Sequence, residues 1–204
     1  VSTGGKIYYY YNNFKAGVFD PNPTLLTNPA DRLQAPVVSL QDSDCDLTGS
    51  HRVTSLPSNL TPGLWCVTGG VSGSSYTGDG VTIWIQSGTL KITGGNIHLT
   101  APYFDSTAPG NGNPATNHAI NGLLFYVPTS SKNGIDLTGN STSYYQGSML
   151  APNTDIQING GSSTDSFHSQ LIGYDVKING GSLFNITYDP NQNLGTTATI
   201  DLYQ

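Results

Sequence analysis

The 204-residue chain contains no glutamate: all of its thirteen acidic residues are aspartate. Only 10% of the residues are charged, against about a quarter in ordinary soluble domains. The seven basic residues (Lys6, Lys15, Arg32, Arg52, Lys91, Lys132 and Lys177) are scattered, which argues against the clustered basic footprint of a nucleic-acid binder. No apolar run reaches membrane-spanning length, so no membrane span is expected in this chain. Good helix formers other than Leu and Ala are scarce, which argues against a helical fold. Gly-x-Ser-x-Gly elbows, P-loops and dinucleotide fingerprints are missing, and no pair of histidines has metal-ligand spacing. No cofactor and no metal are expected.

What remains is a β-forming composition. There are 25 glycines and 12 tyrosines, with abundant Ser, Thr and Asn, and hydrophobic residues make up 36% of the chain, enough for a packed core. The chain begins at Val1 without a signal peptide, which reads as a mature, processed product or as a trimmed chain. Two cysteines, Cys45 and Cys66, in a chain of low charge favour a secreted, extracellular protein with one disulfide. Asn59, Asn140 and Asn185 match the glycosylation acceptor pattern.

The string "IQINGG" at 156–161 returns as "VKINGG" at 176–181. Related strings precede Gly49, Gly69, Gly94, Gly139, Gly160 and Gly180, at separations of 20–25 residues or about twice that. The double gap holds the strand-like stretch 123–127. A period of this size marks a solenoid. Two residues before each first glycine stand Leu47, Val67, Ile92, Leu137, Ile158 and Ile178; four before it stand Cys45, Trp65, Leu90, Ile135, Ile156 and Val176. Between them lie Asp46, Cys66, Lys91, Asp136, Gln157 and Lys177. Two apolar columns face in and one polar column faces out, and the glycine then turns the chain. The expected fold is an all-β, parallel β-helix with about 20–25 residues per coil, each coil burying the next. Six or seven coils at about 4.8 Å give a rod of about 30 Å. The stretch 197–203 continues the alternation in Ala198, Ile200 and Leu202. Cys45 falls in an inward column and Cys66 in the outward one, so a disulfide between neighbouring coils needs a bulge, or a turn at Gly70 instead of Gly69.

Two regions depart from the repeat. Residues 1–40 hold four prolines and no glycine-turn copy, and read as an N-terminal cap or arm on the β-helix domain at 41–204. Residues 102–120 read as a long excursion from one coil. In "KIYYYYNNF", Tyr8 and Tyr10 face one way and Tyr9 and Tyr11 the other. With Ile7 and Phe14 they form a strand that is apolar on both sides and suited to pairing with another chain, or to folding back as a cap.

"LTPGLWCVTGG" at 60–70, "GDGVTIWIQSGTLKITGG" at 78–95, "NGLLFYVP" at 121–128, "STSYYQGSMLAPNTDIQINGG" at 141–161 and "ITYDPNQN" at 186–193 together resemble the secreted region of TadG-like proteins of Flp/Tad (tight adherence) pilus assembly. The resemblance covers about two-thirds of the chain. It implies a surface or appendage-associated location and no known catalytic residues. Those proteins usually begin with an apolar membrane segment, and none is present in this chain, which makes a released or self-assembling version the expectation.

Parallel β-helices also house polysaccharide-active enzymes, which need clustered aspartates with a basic partner. The densest acid cluster is Asp42, Asp44 and Asp46; it resembles the front of a calcium loop but lacks its glycine and its closing Glu. His51, His98, His118 and His168 are read as exposed surface residues. Thr48, Thr68, Thr93 and Thr138 form one column, but the matched second threonine column of a flat ice-binding array is missing. Outward-facing Trp84 is expected to pack under a loop, at a subunit contact or, less simply, on a glycan. The expected function is that of a non-enzymatic extracellular structural protein, forming a homo-oligomer or filament. The alternative is a polysaccharide-active or glycan-binding β-helix.

Overall fold

The computed structural model describes residues 36–103, 118–128, 134–138, 143–159, 167–179 and 193–194. A 3-10 turn at Asp42–Asp46 precedes ten strands: β1 Ser50–Val53, β2 Asn59–Leu60, β3 Gly63–Val67, β4 Val71–Gly78, β5 Val81–Ile85, β6 Leu90–Thr100, β7 Leu123–Tyr126, β8 Ile135–Thr138, β9 Tyr144–Asn159 and β10 Phe167–Asn179. All of their pairings are parallel. The expected parallel β-helix is the fold.

The chain winds over three faces. The first stacks β1, β3, β5 and β7, then 148–150 of β9 and 170–172 of β10. The second stacks 71–73 of β4, 90–93 of β6, β8, 156–159 of β9 and 176–179 of β10. The third stacks β2, 75–78 of β4, 96–100 of β6, 144–146 of β9 and 167–169 of β10. Four circuits visit all three faces and a partial one lies at either end, fewer complete coils among the described residues than the spacing suggested.

The second face carries the repeat in register. Leu90, Ile135, Ile156 and Val176 stack; so do Ile92, Leu137, Ile158 and Ile178, and between them Lys91, Asp136, Gln157 and Lys177. Inner side chains of all three faces form one core, in which the ring of Tyr145 stacks on Phe167 at 4.9 Å. At the corner between the second and third faces the pairing of β4 and β6 shifts register. There Gly94 (φ 65°) and Gly95 (φ 95°) turn the chain within β6. A Cβ on Gly95 would collide with the carbonyl of Ser74, so the close approach itself demands glycine.

Two copies of the repeat do not join this stack. "CDLTG" at 45–49 is no rung: Cys45 and Asp46 belong to the 3-10 turn and Leu47 is 41% exposed. "WCVTG" at 65–69 lies on the first face, and the second-face rung of its circuit is 71–73. The positive φ after β3 belongs to Gly70 (78°), so the turn is there and not at Gly69; Gly49 (φ 90°) and Gly94 turn as expected. Consequently only Thr93 and Thr138 of the threonine column are stacked neighbours. Gly139, Gly160 and Gly180, the stretch 197–203, and Ile7, Tyr8, Tyr9, Tyr10, Tyr11 and Phe14 lie outside the described residues.

First-face strands are buried on both sides, which the simple in–out alternation did not anticipate. On β3 and β5, Trp65, Val67, Ile83 and Ile85 point into the main core. Leu64, Cys66 and Trp84 point outward, beneath Leu40 and Cys45. Val38 packs against the neighbouring outer cluster of Leu123, Leu150 and Ile172. Residues 36–47 thus form a strap across the outer side of the first face, from the level of β7–β10 at Val38 to β3 at Cys45. The strap crosses the boundary drawn at residue 40.

Stretch 123–127 supplies β7, as its pattern suggested. Most of the 102–120 excursion (104–117) lies outside the described residues. Its flanks are held at the corner leading to β7: Gly122 N–H donates to the Pro102 carbonyl at 2.7 Å, and Ile120 N–H to Thr82 Oγ1 at 2.8 Å.

Candidate functional site

Three constellations lie outside the core: the strap clamp, the polar rows, and the β10 end of the stack.

Cys45 and Cys66 are disulfide-bonded, with Cα atoms 5.8 Å apart. The register conflict disappears because Cys45 is not on a strand of the stack. The 3-10 turn brings it over the outer face, where Cys66 points. All three aspartates of "DSDCD" serve this turn. Asp44 Oδ2 accepts from Gln41 N–H at 2.7 Å, capping the turn. Arg52 on β1 donates from Nε to Asp46 Oδ1 at 2.9 Å, and from Nη1 to Asp42 Oδ1 at 2.9 Å. Gln86 Nε2 also donates to Asp42 Oδ1, at 2.8 Å. Hydrogen bonds from Arg52 and then Gln86 hold the Asp42 carboxyl below its usual range. The bidentate fork of arginine, reaching two carboxylates at once, explains the choice of residue. Trp84, expected under a loop, is buried beneath this strap.

Histidines are less exposed than expected. His51, His118 and His168 are half-buried and only His98 is exposed. In a parallel stack, register partners of adjacent layers sit one strand spacing apart on the same side of the sheet, close enough for rings to cover one another. His51 stacks on Trp65 at 4.0 Å and burial lowers its pKa. His98 stacks on Tyr144 at 4.9 Å, with Nε2 3.4 Å from Asp79, and His168 lies 5.1 Å from the same tyrosine. Among the described residues no group of three His, Cys, Asp or Glu could hold a metal ion.

On the second face, polar side chains bridge successive layers. Asn159 Nδ2 donates to Asp136 Oδ1 at 3.0 Å, and Asn179 Nδ2 to Asn159 Oδ1 at 3.2 Å. Lys177 Nζ lies 2.8 Å from Asp155 and 3.4 Å from Asp175, which raise its pKa, Asp155 most. On the third face, exposed Asn59 accepts a 2.8 Å hydrogen bond from Thr77 at Oδ1. Asn140 and Asn185 lie outside the described residues.

At the last described layer, β10 pairs only with β9 among the described strands. Leu90, Ile92, Ile135, Leu137, Ile156 and Ile158 are fully buried, yet Val176 and Ile178, next in the same columns, are half-buried. Tyr174, on the same strand, is 80% exposed. The strap and this end were missed in the sequence. The available signal was Arg52 standing close to three aspartates, with apolar Leu64 and Trp84 in positions that alternation sends outward.

Among the described residues no helix is long and apolar enough to cross a membrane. Comparison with family models, curated proteins and solved structures gave no match to this chain.

Proposed function

We propose that this chain is a non-enzymatic extracellular structural protein, a subunit or decoration of a cell-surface appendage that self-assembles through β-strand contacts. The course of the strap carries the reading. Val38 lies at the level of β7–β10 and Cys45 at β3, so the segment before residue 36 joins the molecule toward the β10 end. A strand edge at the end of such a stack can accept another strand, and the two-faced tyrosine strand is suited to that role. Residues 15–35, with prolines at 21, 23 and 29, reach about 70 Å when extended, farther than the length of a rod of about 30 Å. The strand can therefore reach a second copy. A contact between unlike surfaces repeats into a filament unless it closes into a ring. The resemblance to TadG-like proteins agrees with an appendage, and the disulfide suits an oxidising compartment. Electron microscopy and sedimentation of the purified chain across a range of concentrations test the reading. Filaments or concentration-dependent oligomers are expected; a monomer at every concentration overturns it.

A second reading, glycan binding, draws on the second face. Lys91, Asp136, Gln157 and Lys177 make one outward row, with Asp155 and Asp175 beside it. Such a row offers donors and acceptors to sugar hydroxyls at the layer spacing. Retention on immobilised polysaccharides, lost in Asp136→Ala, would favour it.

A further inference from the structure

We propose that the second-face edge of β10 is covered by residues 199–203 of the same chain, added as one further rung of the stack. The inference concerns the C-terminal stretch and does not rest on self-assembly.

The first argument is burial. Each inner residue of the second face is sealed by the layers on both sides of it, and burial is complete at Ile135, Leu137, Ile156 and Ile158. Val176 and Ile178 are covered by β9 on one side and remain half-buried. One more apolar pair at the same spacing would complete the column, as the earlier layers do.

The second argument is sequence. "IDL" at 200–202 repeats "IDL" at 135–137, the second-face rung β8. Ile200 follows Val176 by 24 positions, within the 20–25 residue period. Ile200 over Val176 and Leu202 over Ile178 then extend the two inner columns.

The third argument is charge. Aligned this way, Asp201 stands beside Lys177 in the outward row. Lys91 and Asp136 are already neighbours in that row, and opposite charges on facing strands are favourable.

Chain path allows it. Asn193 and Leu194 lie across the outer side of the first face, from β10 to the start of β7: Asn193 Oδ1 accepts from Gln170 N–H at 3.1 Å, Leu194 N–H donates to Ser148 Oγ at 2.7 Å, and the Asn193 backbone lies against Gly122. From Leu194 to Ile200 the extended chain spans about 20 Å, enough to pass along the first face to the second.

The test is a pair of double variants in the full chain. Lys177→Cys/Asp201→Cys puts thiols at the proposed facing positions, within disulfide reach; Lys177→Cys/Thr199→Cys is out of register by two residues and beyond it. Both are oxidised as equal mixtures of unlabelled and 15N-labelled chains, and the linked peptides are mapped by mass spectrometry. The expected result is a same-isotope bond in the first variant, at least tenfold more abundant than in the second. Three results overturn the proposal: no preference for the in-register pair, no bond in either variant, or mixed-isotope bonds, which would assign the edge to a second copy. Sedimentation of the same samples reads self-assembly separately.

Discussion

At the residue scale, Ile158 and Gln157 are neighbours in sequence and opposites in environment. Ile158 is fully buried between Leu137 and Ile178, while Gln157 faces outward between Asp136 and Lys177. Ile158→Asp puts an unpaired carboxylate into a dry column and should cost about 3–5 kcal/mol or prevent folding. Gln157→Asp loses the 3.3 Å bond to Asn159 and gains one like-charged and one oppositely charged neighbour, so its cost should stay within about 0.5 kcal/mol. Denaturant midpoints of the two variants check this, and equal losses would sink the in–out assignment. This much was legible in the sequence, because period-two alternation reports directly which side of a strand is wet. It does not report which of three faces a strand belongs to. That is why "WCVTG" at 65–69 matched the repeat string while lying on a different face from the strings it resembles.

At the element scale, the strap is held by one covalent bond, by the apolar contacts of Val38 and Leu40, and by exposed polar contacts. Arg52, Asp42 and Asp46 are solvent-accessible, and such pairs contribute little individually. The disulfide, closing a separation of 21 residues, should contribute about 3 kcal/mol on the chain-entropy account. Cys45→Ala/Cys66→Ala is therefore expected to lower stability by that amount and to increase acrylamide quenching of Trp84. An unchanged midpoint with Trp84 still shielded would show that the strap holds without the bond. The remaining polar clamp has a pH signature. The Asp42 carboxyl is held below its ordinary value of 3.8 by Arg52 and Gln86. A lowered carboxylate pKa stabilises the folded form above the unfolded value, and that stabilisation is lost as pH falls through the folded value. In the disulfide-free variant, Trp84 should therefore become more accessible as pH drops below 3.8, and Arg52→Gln, which leaves only the Gln86 hydrogen bond to Asp42, should diminish that acid step. The strap was legible only through Arg52 and its nearby aspartates and the outward Leu64 and Trp84. Its apolar contributions, Val38 and Leu40, show no period, and a sheet face covered by another segment breaks the alternation that otherwise identifies a half-buried strand.

At the scale of the whole molecule, the unresolved choice in the sequence was whether the segment at 1–20 caps its own stack or pairs with a second copy. Val38 lies at the level of β7–β10, and residues 15–35 are long enough to reach either end of the stack. The two arrangements make opposite predictions for a chain lacking residues 1–20. If the tyrosine strand pairs between chains, it is the connector, and its removal converts filaments or oligomers into folded monomers. If it covers its own chain, it is a protective cap. Its removal then leaves a strand edge open to solvent, and open edges recruit other chains; a monomeric parent would become a self-associating variant. Sedimentation velocity of both chains at matched concentrations separates the cases, because deletion lowers the mean mass in the first and raises it in the second. Assembly of the full chain and dissociation on deletion is the expected outcome. Hydrogen exchange at Tyr8, Tyr9, Tyr10 and Tyr11 adds an independent check. Between-chain pairing makes their protection rise with protein concentration, whereas strong protection in a dilute monomer would establish the cap and rule out the connector.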